Sequence, residues 1–110
     1  MIKQYYELYV EYEPITGTPT PDGLVAKVVD EAVDHVTNPN SGSDYMIVTS
    51  SELVITEVRV RVKQGQLDTA LTSIYYEGEE VVMHSNGRFA NWPKGFCDTW
   101  DNQLDKLLDL

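Results

Sequence analysis

Residues 4–13 (QYYELYVEYE) alternate, with Tyr6, Leu8, Val10 and Tyr12 on one side and Tyr5, Glu7, Tyr9, Glu11 and Glu13 on the other. A period of two predicts a half-buried strand. Pro14, Pro19 and Pro21 then exclude regular structure across residues 14–21, because each proline lacks a donor and fixes φ. From Leu24 the apolar positions Leu24, Val25, Val28, Val29, Ala32, Val33 and Val36 step by three and four. That stripe predicts a helix, with Asp22 near its cap and His35 in its last turn.

Beyond a polar loop at residues 38–44, the run YMIVT at residues 45–49 is short, apolar and rich in β-formers, and predicts a buried strand. Strand, helix, strand in this order suggests a βαβ unit, whose crossover should be right-handed if the strands are parallel. Residues 50–63 carry two patterns. Val58, Val60 and Val62 alternate with Arg59, Arg61 and Lys63, which favours a strand. Yet Val54, Val58 and Val62 fall four apart, Ser50 or Ser51 before Glu52 resembles a helix start, and Gly65 could cap a helix end. Residues 71–76 and 80–84 read as β segments of a hairpin around Glu77-Gly78, and Asn86-Gly87 supplies a second turn. A last helix is expected from about Asp98, with Trp100, Leu104, Leu107 and Leu108 on one face and Asp98 and Asp101 near its positive end. Phe89, Trp92 and Phe96 then read as a hydrophobic plug that seats this helix.

These elements compose an α/β domain, with α+β as the alternative: a mixed sheet of about four strands with two or three helices. The chain has 110 residues, so a single domain over residues 1–110 is expected, with one core and no staples. One cysteine, Cys97, cannot make an internal disulfide and reads as a small hydrophobe. No secretory leader and no run of roughly 18 apolar residues is seen, so a cytoplasmic protein without a membrane partner is expected.

The formal charge of -10 opposes direct nucleic-acid binding and anionic membranes, since polyphosphates are bound by cations. It suits a protein that meets a basic surface, and it leaves open a chain that imitates DNA. Candidate chemistry is sparse. No G-x-x-x-x-G-K-[ST] loop or G-x-G-x-x-G fingerprint occurs, two separated histidines with one cysteine offer no metal spacing, and no cofactor is expected. Glu7, Glu11 and Glu13 read as a solvated strand face, with Glu11 the sole metal candidate. His35 and His84 read as surface residues. Arg59, Arg61 and Lys63 form the basic cluster, either a solvated face or a partner-binding patch. Tyr5 and Tyr9 are a second candidate contact, for a partner or for self-association.

The closing block Asn86-Gly87-Arg88, Trp92-Pro93, Gly95-Phe96 and Asp98, followed by Leu104, Leu107 and Leu108, resembles the C-terminal end of SMC-like, ABC-type bacterial predicted AAA ATPases related to the overcoming-lysogenization-defect class. There the run is D-G-[RE]-x-x-x-W-P-x-G-F-F-D-like, and Cys97 stands for its second Phe. The resemblance implies that Gly87, Trp92, Pro93, Gly95 and Phe96 are a structural motif. It extends upstream to the Walker B strand, L-x-I-E-x-P-E-x-H-L-H-P in the family, where Leu8, Val10, Glu11, Ile15 and Pro19 match. The family's catalytic glutamate falls on Pro14, with Glu13 one place early, and its two histidines fall on Thr16 and Thr18. Its T-H-S-E switch reads Thr49-Ser50-Ser51-Glu52, which puts Ser50 at the γ-phosphate-sensing histidine. The family's following basic helix corresponds to residues 58–62, which tips that segment toward helix.

The resemblance therefore implies the C-terminal half of a P-loop ATPase fold that lacks the groups phosphoryl transfer needs. Only Glu11, at the metal-binding acidic position, survives. The expectation is no enzyme but a degenerate ATPase fragment of phage or mobile-element origin that binds a protein, such as a defence-type P-loop ATPase, as a decoy. An acidic DNA mimic and a half-enzyme completed by a partner ATPase subunit are the alternatives. Homo-oligomerisation through an uncovered sheet edge also fits.

Overall fold

The alternation of residues 4–13 becomes strand β1 (Leu8–Tyr12) in a computed structural model that describes residues 3–90. Helix α1 (Val25–Thr37), strand β2 (Tyr45–Thr49), helix α2 (Glu52–Lys63) and strands β3 (Thr72–Tyr76) and β4 (Glu79–Val81) follow in order. The strands form one mixed sheet in the order β2-β1-β3-β4, with β1 parallel to both neighbours and β4 antiparallel to β3. An α/β fold on a mixed four-stranded sheet with two helices is thus present among the described residues. The expected last helix, with Cys97, Trp100, Leu104, Leu107 and Leu108, and the plug residues Trp92, Pro93, Gly95 and Phe96 lie outside the described residues.

Residues 52–63 are helix, although their valine-arginine alternation favours a strand. The reason is topological: β2 and β3 both run parallel to β1, so the chain must cross from the end of one to the start of the other, and a dozen-residue crossover is usually helical. Local chemistry agrees, since Val54, Val58 and Val62 bury on one side, Glu52 sits in the first turn and Arg61 and Lys63 in the last. Helix α1 starts at Val25, one residue later than its stripe suggests, after a 3-10 turn at Asp22–Leu24. Its buried stripe is Val25, Val29, Ala32, Val33 and Val36.

Both helices pack on the same face of the sheet. Leu8, Val10 and Tyr12 of β1, Ile47 and Thr49 of β2, and Thr72 and Ile74 of β3 are buried beneath them. The step from β1 to β2 and the return step across β1 to β3 run in opposite directions. With both helices on one face, these two crossovers are necessarily of opposite hand, whereas right-handed crossovers throughout would have put one helix on each face. Residues 45–49 form the expected strand, but it is buried on one face only. Ile47 and Thr49 are buried, but Met46 is 64% and Val48 39% exposed, because no described element lies over their side of the sheet.

Two close approaches hold the loops. Gly17 lies where a Cβ would meet the Glu13 carbonyl oxygen and the Ser50 amide at 2.6 Å, which lets Thr18 pair with Thr49 along the outer edge of β2. Gly87 has φ +83°, and a Cβ there would run into the Arg59 carbonyl oxygen, so only glycine brings this turn onto the end of α2. Buried Gln4 staples the start of β1: its Nε2 donates to the carbonyls of Tyr6 and Leu71, and its Oε1 accepts from the Asp68 amide.

Candidate docking surface

Period two in β1 delivers Tyr9 and Glu11 to the face that is bare among the described residues, and the register fixes their neighbours. Tyr9 stands between Met46 and Ser73, and Glu11 between Val48 and Tyr75. Across β4, Glu80 stands opposite Tyr75. Tyr9, Glu11, Met46, Tyr75 and Gly78 line a shallow, open depression of about 330 Å³. Its lining is aromatic and thioether, with the one carboxylate of Glu11.

The carboxylates crowd one another. The Tyr9 hydroxyl donates to Glu7, and that bond, with partial desolvation and the charges of Glu7 and Asp44, pushes the Tyr9 pKa up to about 12. Glu13 shares a hydrogen bond with Glu11, which raises the Glu13 carboxyl above the usual range, and loss of solvent and the charges of Glu11 and Glu77 act in the same sense. None of the four strands carries a lysine or arginine. Among the described residues, no three histidine, cysteine or carboxylate groups converge as a metal site, so Glu11 has no companion set of ligands there.

Helix α2 takes its arginines elsewhere. Arg59 and Arg61 are only 8% and 9% exposed, whereas Lys63 is exposed, so the three do not form one solvated basic face. Arg59 Nε donates to the Gly87 carbonyl at 2.7 Å, and its guanidinium lies over the Phe89 ring, 4.4 Å from the centroid. Arg61 contacts Glu57 and Asp30, each at 2.7 Å. Burial alone would lower the Arg61 pKa, but its bonds to Glu57 and Asp30 outweigh that and raise it. These two arginines fasten the 84–90 turn and α1 to α2, which is a packing task. Tyr5 lies ahead of β1, with its amide bonded to the Val36 carbonyl at 2.7 Å, so it does not share Tyr9's strand. His35 bonds through Nε2 to the Ser43 carbonyl and sits beside Tyr6 and Tyr45, tying α1 to the loop before β2.

Sequence reasoning singled out Tyr9 and Glu11 but missed Met46, Val48 and Tyr75. The signal was present in the parity of residues 45–49, since every second residue of any strand faces away from its helices.

Residues 73–107 match a family model described as Protein of unknown function (DUF3696). The match begins within β3 and covers about a third of the chain. It includes the second turn and the closing block, with Gly87, Trp92, Pro93, Gly95 and Phe96. No curated protein and no solved structure matches the chain. None of the described helices is long and apolar enough to cross a membrane.

Proposed function

We propose that this chain is a non-catalytic protein-interaction module whose docking surface is the bare face of its sheet. The observation that carries this reading is the exposure of Met46 and Val48 beside Tyr9 and Tyr75 on a mainly parallel sheet. Parallel strands are nearly always covered on both faces, so an uncovered one is a surface waiting for a layer. Site-specific photocrosslinking tests it: a benzophenone amino acid at Met46 should yield adducts with a partner protein in cells, and the same group at Lys27 on α1 should not. Equal yields from both positions, or none from Met46, would sink the reading.

The finer reading is that the module is a degenerate ATPase fragment, of phage or mobile-element origin, that decoys a defence-type P-loop ATPase in the cytoplasm. Two features support it beside the sequence resemblance. The Walker-B-like and switch-like strands β1 and β2 are adjacent and parallel, with Tyr12 level with Thr49. The substituted positions Thr18 and Ser50 also meet there, since the Ser50 amide donates to the Thr18 carbonyl at 3.1 Å. Binding to purified ATPases of that class tests it, and no interaction with any of them would reject it. The crowded carboxylates of the bare face favour a second reading, an acidic imitation of DNA, whose partner binding should weaken steeply with salt. A half-enzyme reading would need Glu11 to hold Mg²⁺ for a partner ATPase subunit, and turnover unaffected by Glu11→Gln in the pair would remove it.

A further inference from the structure

The bare face is neither uniformly apolar nor uniformly charged. Tyr9, Met46, Val48 and Tyr75 offer apolar surface, and Glu11 stands among them, between Val48 and Tyr75. Carboxylates flank this surface at both ends of β1, with Glu7 bonded to Tyr9 at one and Glu13 close to Glu11 and Glu77 at the other. None of the four described strands supplies a cation to balance these groups. The carboxylates of Glu11 and Glu13, held together with no cation on the described strands, cost free energy that an incoming lysine or arginine would recover.

From this we propose that the face docks a basic amphipathic helix of a partner protein, with its apolar stripe on Tyr9, Met46, Val48 and Tyr75 and its cations beside Glu7, Glu11, Glu13 and Glu77. The proposal rests on the interaction-module reading and adds the chemistry of the partner. A helix is the layer that covers parallel sheets, laid along the strands. Charge complementarity selects among occupants. A second copy of this acidic chain would bring like charges together, and nucleic acid would add more negative charge. The chain's own residues 91–110 carry Trp100, Leu104 and Leu107 but four aspartates against two lysines, so they are poorly matched to a face flanked by carboxylates.

The test uses the full chain and three fluorescein-labelled helical peptides with the same leucine stripe, whose polar faces are all lysine, all glutamine or all glutamate. Fluorescence anisotropy should rank them lysine, glutamine, glutamate, with the lysine peptide about tenfold tighter than the glutamine one at low salt and much of that margin lost at high salt. Glu11→Gln with Glu13→Gln should erase most of the lysine preference, Met46→Asp should weaken the glutamine peptide, and Glu31→Gln with Asp34→Gln on α1 should leave affinities within about twofold. If lysine and glutamine peptides bind equally and Met46→Asp still weakens both, the basic-partner inference fails while the docking reading stands. If no peptide binds, a nitroxide on Cys97 decides the cause. Broadening of the Tyr9, Met46 and Tyr75 amide resonances would make residues 91–110 the occupant. Without broadening, a dimer in sedimentation would make it a second copy, and a monomer would leave the face with no occupant. Any of these three results overturns the inference, and the first and the last overturn the docking reading with it.

Discussion

The two faces of one sheet differ in what lies above them, and the contrast separates the part of the chain that folds it from the part free to act. On the covered face Leu8, Val10 and Ile74 are essentially removed from water under α1 and α2. On the bare face, one residue along, Tyr9, Glu11 and Tyr75 remain partly solvated and Met46 is mostly exposed. Both sets sit on the same backbone, with the same hydrogen-bonded neighbours. Side-chain parity alone therefore assigns residues to stability or to recognition, and truncations on the two faces should have opposite consequences.

The largest expected effect is on the covered face. Leu8→Ala should lower the unfolding free energy by about 2–5 kcal/mol in urea titrations, through lost transfer energy and a residual cavity. Next comes the turn that α2 holds. Gly87→Ala must strain a positive φ and push the turn off the Arg59 carbonyl, with an expected loss of about 1–3 kcal/mol and a matching fall in the melting temperature. An unchanged midpoint for either variant would break the assignment of these residues to the folding half of the molecule.

A smaller and pH-dependent effect belongs to the bare face. Glu13 binds its proton more tightly folded than unfolded, so its contribution to stability is present below the ordinary carboxyl range and is lost as pH rises through and above it. Glu13→Gln should therefore raise the melting temperature slightly at neutral pH and have less effect in acid. A variant that melts lower than the parent at neutral pH would show that Glu11 and Glu13 do not crowd each other.

Much of this architecture was legible in the residues, and what was not has a physical cause. Helix α1 was readable because a continuous valine stripe at helical spacing admits one interpretation, and β1 because its alternation is strict. Helix α2 was ambiguous because Arg59 and Arg61 fall where a strand would place a polar face. The fold instead buries both arginines, one against the Gly87 carbonyl and one between Asp30 and Glu57, and no local pattern announces partners that are 28 and 31 positions away. The docking face was half legible for a similar reason. Tyr9 and Glu11 stood out in an alternating strand, but an all-apolar run such as YMIVT hides its parity, and only the position of both helices on one face shows that Met46 and Val48 look outward.

Adjacent residues of β2 give the most direct test of the claim that one face is built and the other left open. The urea midpoints of Ile47→Asp and Met46→Asp would be measured side by side. A bare face predicts that Ile47→Asp abolishes cooperative folding, while Met46→Asp changes stability by no more than about 0.5 kcal/mol, as exposed substitutions do. Collapse of both variants would mean that a layer already covers Met46, and the docking surface would not exist.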